Sequence, residues 1–386
     1  MTLEHLNRLL EAIRAARVAV VGDYCLDAYW FADLSRSEIS LETGLPTHPV
    51  SHQRTAPGGA GNVVANLAAL GVGSLNALGV IGDDIWGREL LRLLQNSGAD
   101  TSGILTQTAN WDTLAYVKPH AEGREENRRD FGNFNELSRE TAEALVARLD
   151  ELASEVDVVL INQQVPQGIH TPFLREALAA AIARHPRIIF IADSRHFSGC
   201  YRGAWLKLNA HEAVRLTGGP DEAPSRSRVL EAAELLFARG GRPVFVTFGS
   251  RGVVVRTGEG VAEIPGVPAP GETDTVGAGD SLLAGVGEGS LPGAGLRAGA
   301  ELPADWPPLA AGGPTVALVH ALRRLGLRVA FLASFPAPAA DALAAEAASL
   351  LFVSLGEERP ATLLPLLGSD GGPRALAAAL RPLLLQ

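Results

Sequence analysis

The sequence predicts an α/β fold built on a mostly parallel sheet, and three observations carry that reading. Short β-branched apolar runs recur without alternation at Val18-Ala19-Val20-Val21, Leu75 to Ile81, Val158-Val159-Leu160-Ile161, Ile188-Ile189-Phe190-Ile191 and Val244-Phe245-Val246-Thr247. A strand that is apolar at every position is one buried on both faces. From about residue 140 these runs alternate with helical segments at about 139–154, 171–184 and 224–239. Strands separated by helices imply parallel pairing with both sheet faces covered. Two further stretches, 28–57 and Thr113 to Phe134, are polar and alternate only weakly. They read as exposed strands or a lid rather than core.

At 386 residues the chain has room for one large α/β domain with an appendage, or for two domains. It is 47% apolar and 20% charged, the balance of a globular protein with a real core. The formal charge of −10 argues against a nucleic-acid surface, which needs a basic patch. It leaves room for a phosphorylated substrate, since a few Arg or backbone N–H groups suffice to meet one. Cys25 and Cys200 have neither metal-site nor disulfide spacing, which points to a reducing compartment. Leu3, Leu6, Leu9, Leu10 and Ile13 recur at helical spacing in place of the apolar core of a signal peptide. No apolar run reaches the roughly 18 residues of a membrane span. A cytoplasmic protein is expected.

Taken in order, the first apolar run ends in Gly22-Asp23, and the polar residues after it lie where α/β sheets place ligands. Pro57-Gly58-Gly59-Ala60-Gly61-Asn62 opens a helix that stops at Gly71, and a second helix runs through Leu94. Val253-Val254-Val255 and Val261 to Ile264 read as a hairpin. The tail changes character: residues 281–386 contain no Lys, Asn, Ile or Tyr. Residues 287–314 read as a Gly/Pro-rich linker or loop. Residues 315–386 read equally as an extra αβαβα unit or as the end of the main domain in an atypical sequence, with strands at Arg328 to Ala333 and Leu350 to Ser354 and helices at about 315–325, at about 337–349 and at the end.

Four constellations can carry chemistry. In Asp274-Thr275-Val276-Gly277-Ala278-Gly279-Asp280, two acidic residues bracket a Gly-Ala-Gly step ahead of a small, apolar helical run. Such a turn at a helix N-terminus is a cradle for an anion, with Asp280 at its mouth as a general base. Read alone, it is equally a Gly-rich turn with an Asp cap. Gly58, Gly59 and Asn62 suit close approach of a ligand and contact with a sugar hydroxyl, or equally a loop-to-helix turn with no ligand. Asp27, just past the first strand, can bind a pair of hydroxyls or equally be a solvated carboxylate. Asn209-Ala210-His211-Glu212 opens a helix; by itself it reads as a capping box, while Glu212 can also orient a hydrated Mg²⁺. Thr247, Gly249 and Gly252 form a strand-end turn suited to a nucleotide. Arg124, Arg128 and Arg129 fit either a substrate phosphate or a solvated stretch.

In this order the motifs resemble those of the ribokinase-like (PfkB) family of sugar kinases, over roughly residues 15–286. Pro57 to Asn62 is similar to its N-terminal glycine signature, and Asp274 to Asp280 to its C-terminal one. Gly22 to Trp30 and Ser35-Arg36-Ser37 resemble the heptose-phosphate kinase branch most. The resemblance implies a ribokinase-like three-layer α/β/α fold with a small β-lid formed by 28–57 and 112–131, often shared across a homodimer. It implies ATP-dependent transfer of a phosphoryl group to a sugar or sugar-phosphate hydroxyl, with Mg²⁺. Asp280 is then the base, and the N–H groups of Gly277, Ala278 and Gly279 the anion hole. Asn209, Glu212, Thr247, Gly249, Gly252 and Asp274 lie at the nucleotide and metal, with Glu212 at Mg²⁺. Asp27, Gly58, Gly59 and Asn62 lie at the sugar. The family pattern also calls for a continuing helix after Val286 and an Asn against the adenine, neither of which the tail displays. The competing expectation is therefore a catalytically weak sugar-binding or regulatory relative of the same fold. A dinucleotide-binding oxidoreductase is disfavoured, since no Gly-x-Gly-x-x-Gly follows the first strand.

Overall fold

A computed structural model describes residues 11–219, 223–266 and 277–289, together with three strands at 328–332, 350–354 and 362–364. The chain divides into two compact units, one comprising residues 11–266 and 279–300, the other residues 1–10, 267–278 and 301–386.

The larger unit opens with β1 (Arg17–Gly22), β2 (Tyr24–Ala32), β3 (Val50–Gly59), α1 (Ala60–Leu70), β4 (Ser74–Ile81), α2 (Ile85–Asn96) and β5 (Asp100–Thr106). Next come β6 (Leu114–Ala121), β7 (Arg124–Glu125), β8 (Arg129–Phe131), α3 (Arg139–Leu152), β9 (Val158–Gln163), α4 (Pro172–Arg184) and β10 (Ile189–Ser194). It continues with β11 (Trp205–Asn209), α5 (Ala210–Leu216), α6 (Arg226–Gly240), β12 (Val244–Thr247), β13 (Val253–Thr257) and β14 (Gly260–Ile264). Helix α7 (Ala278–Gly289) follows.

Nine strands form the main sheet in the order β14-β13-β12-β11-β10-β9-β1-β4-β5. Pairing is parallel from β5 to β12 and antiparallel across β12, β13 and β14. The apolar runs explain this. Val18, Ala19, Val20 and Val21 are all fully buried, as are Val158 to Ile161, because helices cover both faces. On one face Leu145, Leu149, Leu174 and Leu178 of α3 and α4 pack on Ala19, Val21, Val159, Ile161 and Phe190. Farther along, Val214, Val229 and Leu236 of α5 and α6 pack on Leu208, Val244 and Val246. Helix α1 packs on β1 and β4. Side-chain caps set the helix starts: Asp84, Ser138, Thr171 and Ser225 each accept from a backbone N–H of the first turn.

A second sheet is built from both polar segments. Strands β3, β2, β6 and β7 run in that order and β8 pairs with β6. This is the lid expected from 28–57 and 112–131, although β2 already begins at Tyr24. Asp27 therefore lies within a lid strand and not just past the first strand of the main sheet. Gly58 and Gly59 end β3, so the expected turn is a strand-to-helix junction.

Three further differences stand out. Strand β5 is absent from the sequence reading, because Asp100-Thr101-Ser102-Gly103 masks its short apolar end. Residues 287–289 continue α7 where a linker was expected from 287. Burial of Leu283, Ala284 and Val286 stabilises that helix against its glycines. In the smaller unit, β15 (Arg328–Leu332), β16 (Leu350–Ser354) and β17 (Thr362–Leu364) pair antiparallel in sequence order. The two expected strands are present there, and β17 is an addition. The expected helices at 315–325 and 337–349 lie outside the described residues, as do Asp274 and residues 1–10. No helix among the described residues is long and apolar enough to cross a membrane.

Candidate active site

The carboxyl ends of the parallel strands carry a layer of buried polar groups. Asp23, between β1 and β2, is fully buried and accepts from the backbone N–H groups of Gln164 (2.8 Å), Val165 (3.1 Å) and Ile169 (2.9 Å). It anchors the loop after β9. Its own carbonyl oxygen accepts from the Ala60 N–H at 2.9 Å and so fixes the start of α1. The chain passes here only because residue 59 is glycine: φ is +56°, and a Cβ would overlap the Asp23 carbonyl oxygen. Gly59→Ala is expected to destabilise the protein by at least about 2 kcal/mol, read by urea unfolding.

Helix α1 then presents Asn62, whose Nδ2 donates to Asp280 Oδ2 at 2.8 Å. This bond joins two residues that are 218 positions apart and lie in the two glycine motifs. Burial pushes the Asp280 carboxyl up to about 6; the Asn62 hydrogen bond opposes this, Asp193 adds to it, and Lys207 and Arg195 oppose it. Asp280 sits in the first turn of α7, where the helix dipole favours negative charge. A carboxylate poised near neutrality at such a place suits proton abstraction. Gly279 accompanies Asp280 in the larger unit, whereas Gly277 (φ +79°) and Ala278 fall in the smaller one.

Asn209 and Glu212 form the capping box that their spacing suggested. The Glu212 N–H donates to Asn209 Oδ1 at 2.9 Å, and the Asn209 N–H to Glu212 Oε2 at 2.8 Å. Burial raises the Glu212 carboxyl above its ordinary value, against the pull of the Asn209 N–H. Asp193, Lys207 and Arg195 act on both Glu212 and Asp280, so the two carboxyls share one electrostatic neighbourhood. Thr247 ends β12, and Gly249 and Gly252, at φ +57° and +99°, shape the turn after it. That turn borders a cavity of about 280 Å³ lined by Phe248, Ser250, Arg251, Pro265 and Gly266, among others.

On the lid, Asp27 Oδ1 pairs with Lys118 Nζ of β6 at 2.8 Å. Lys118 also donates to the Tyr29 hydroxyl at 3.3 Å and lies 4.8 Å from its ring centroid. Arg54 of β3 lies over the same ring at 4.5 Å. These contacts put Asp27, Tyr29, Arg54 and Lys118 on one face of the lid, with Gly58 against Asp27. Arg128, one of the three arginines singled out above, is held by Asp130 and lies over Tyr116.

The residues fit a nucleotide with its metal. The sheet end has a cradle at Gly279 where a Cβ would crowd the Lys207 ammonium, and buried Asn162 has no partner for its side-chain amide among the described residues. Among those residues no cluster of three or more His, Cys, Asp or Glu could hold an ion. One half-buried carboxylate, Glu212, suits Mg²⁺, which keeps its waters and takes phosphate oxygens.

Solved structures of this architecture establish the class. Arabidopsis thaliana ribokinase complexed with ribose and ATP aligns at a TM-score of 0.53 and 21% identity, covering 71% of this chain and 86% of that one. Escherichia coli phosphofructokinase-2 aligns at 0.54 and 23%, covering 70% and 84%. The protein has the ribokinase-like α/β fold. The family profile described as "pfkB family carbohydrate kinase" matches residues 15–303, and the chain belongs to that family. Among curated relatives, bifunctional protein HldE of Caulobacter sp. (strain K31) is 33% identical over 289 residues, which are 72% of this chain and 56% of the relative. HldE of Wolinella succinogenes is 32% identical, over 72% and 58%. The chain thus spans little more than half the length of these relatives.

Proposed function

We propose that the protein transfers the γ-phosphoryl group of ATP to a hydroxyl of a sugar or sugar phosphate, with Asp280 as general base. The observation that carries this is the Asn62–Asp280 hydrogen bond at the N-terminal turn of α7. Asn62 orients the carboxylate toward the acceptor, and burial keeps the carboxyl basic enough to take the hydroxyl proton. The acceptor oxygen bonds to the γ phosphorus as its proton passes to Asp280, and the bond from that phosphorus to the β–γ bridging oxygen breaks as ADP leaves. The backbone N–H groups of Gly277, Ala278 and Gly279 form the anion hole. Asn209, Glu212, Asp274 and the Thr247 to Gly252 turn hold the nucleotide, with Glu212 orienting Mg²⁺ through its waters. When bound, Mg²⁺ neutralises phosphate charge. Phosphoryl transfer asks a protein mainly for positioning and electrostatics, and a closing lid excludes water as a competing acceptor.

On this reading residues 1–286 belong to the kinase domain, whose last described helix runs on to Gly289, with the remainder of 287–314 as linker and 315–386 as a further unit. The lid is the surface through which two copies pair, and the cytoplasm is the site of action. Asp27, Gly58, Gly59 and Asn62 bind the sugar.

The lid face favours acceptors that already carry a phosphate. Arg54 lies on an aromatic ring rather than on a carboxylate among the described residues, two positions along β3 from Ala56, which pairs with Asp27. A strand advances about 3.4 Å per residue, so Arg54 stands about 7 Å outward of Asp27, which suits the far end of a sugar phosphate. ADP release with Mg²⁺ and ATP, measured over free hexoses, nucleosides, and hexose and heptose phosphates, tests this. Turnover is expected with a phosphorylated sugar, and Arg54→Gln is expected to raise its KM about tenfold or more. Turnover confined to unphosphorylated acceptors would contradict the phosphate reading, and ADP release with none of them the kinase reading.

A further inference from the structure

Lys207 lies outside every motif the sequence singles out. It is a charged residue inside a parallel strand, β11, between the buried-face residues Leu206 and Leu208, and it is 5% exposed. A lysine there needs a partner, and the partner is in register on the next strand. Lys207 faces Asp193 of β10, and its Nζ donates to Asp193 Oδ2 at 2.6 Å. Asp193 is 4% exposed.

A buried ion pair is weak evidence for stability. Apolar residues of similar volume commonly serve a core as well or better, so a pair retained in one place calls for another explanation. Its position supplies one. The sheet face that Asp193 and Lys207 share is opposite the one that buries Leu208, Val244 and Val246. On that face the ammonium abuts the backbone of Gly279. A Cβ added to residue 279 would stand 2.7 Å from Lys207 Nζ and 3.7 Å from its Cε. A glycine in the cradle therefore admits not only a ligand but also this cation. An ammonium has three donors. One goes to Asp193, which fixes the group, and among the described residues the other two have no acceptor, so they can serve oxygens beside Gly279.

We propose that Lys207 is a catalytic cation of the phosphoryl-transfer site, contacting the migrating phosphoryl group beside the Gly279 backbone, and that Asp193 is the residue that positions it. This rests on the kinase reading above. Charge grows on the phosphoryl oxygens in the transfer, and a preorganised donor in a water-poor site stabilises it more than any mobile surface cation. Lys207 neither gains nor loses a proton; the hydroxyl proton still goes to Asp280 and the electron pair of the breaking P–O bond still leaves with ADP.

Three variants test the assignment on the full chain, with initial rates over acceptor and ATP concentration. Lys207→Met strands Asp193, and Asp193→Asn loosens Lys207, so either can lower stability. The double variant Lys207→Met/Asp193→Leu removes both charges and is expected to unfold at the wild-type temperature or above. It is nevertheless expected to lose kcat by about 10²-fold or more, the usual effect of removing one such donor, with the KM for the acceptor little changed. A merely structural pair predicts the opposite: a stable double variant with kcat within about threefold of wild type would overturn the proposal. The pH profile separates the roles further. Asp280 is faced by Asn62 from α1, Cys25 from β2, Asp193 and Arg195 at the end of β10, and Lys207 from β11. Removing the carboxylate in Asp193→Asn should move the acid limb of kcat/KM down, and removing the cation in Lys207→Met should move it up. Limbs that stay put or shift together count against the assignment. Asp280→Asn is run alongside. If wild type is active and Asp280→Asn is not, retained activity in the Lys207 variants refutes this proposal alone. A wild type that transfers to no acceptor refutes both.

Discussion

Asp280→Asn is expected to lower kcat by about 10²- to 10⁴-fold while sugar and nucleotide affinities stay within a few-fold, because in the proposed mechanism only the proton acceptor is removed. The Asn62 amide can still donate to the new side chain's oxygen, so the geometry of the turn survives. Wild type should show an acid limb in kcat/KM with a midpoint near 6, where burial places the carboxyl. The variant's residual rate should lack that limb. Stability should move the other way. The folded state holds the Asp280 proton more tightly than the unfolded chain, so ionising Asp280 costs stability, and that cost grows as pH rises from the ordinary carboxylate range to above about 6. Removing the charge should therefore stabilise the variant by about 1–3 kcal/mol at pH 8, and by progressively less as pH falls toward 4. Urea unfolding at pH 8 and pH 5 measures both values. A variant no more stable than wild type at pH 8 would mean that the carboxylate is well solvated.

The second large effect belongs to Asp23. Its carboxylate receives three backbone N–H groups in a site sealed from water. Asp23→Leu leaves those donors buried without an acceptor, at about 1–3 kcal/mol each. Loss of about 3–6 kcal/mol is expected, enough to unfold many domains at growth temperature. Asp23→Asn should cost less, since an amide oxygen can keep the Gln164 and Val165 donors while its NH₂ meets the Ile169 N–H unfavourably. A smaller loss for Asp23→Leu than for Asp23→Asn would show that water enters the site.

Why was Asp23 not singled out from sequence when Asp280 was? A polar residue after an apolar strand is common, and nothing local reveals that three donors from residues 164–169 converge on it. Asp280 and Asn62 were legible because each sits in a glycine-rich segment whose composition restricts the backbone. Their mutual hydrogen bond was not, since it spans nearly the whole domain. Lys207 did leave a signal. A lysine between Leu206 and Leu208, on a strand whose neighbours are mostly apolar, demands a buried partner, and Asp193 after Ile191 is the complementary anomaly one strand away. Reading strands for apolar content alone hid both. Lys118 was hidden for another reason: the lid strands are polar throughout, and only the register of β2 against β6 brings its ammonium to Asp27. At the level of elements, the parallel core was legible because burial on both faces imposes continuous apolar runs. Strand β5, at the sheet edge, alternates and has a polar start, so it carries no such imprint.

The most direct test of the proposed phosphoryl transfer with Asp280 as base is the movement of label from γ-³²P ATP. The wild-type chain and Asp280→Asn are incubated with Mg²⁺ and a panel of free sugars and hexose and heptose phosphates, and labelled product is separated. Wild type is expected to label at least one acceptor, and Asp280→Asn to bind that acceptor while labelling it at least about 10²-fold more slowly. Sugar-dependent thermal stabilisation with no label transferred to any acceptor, or equal transfer by the two proteins, would contradict it.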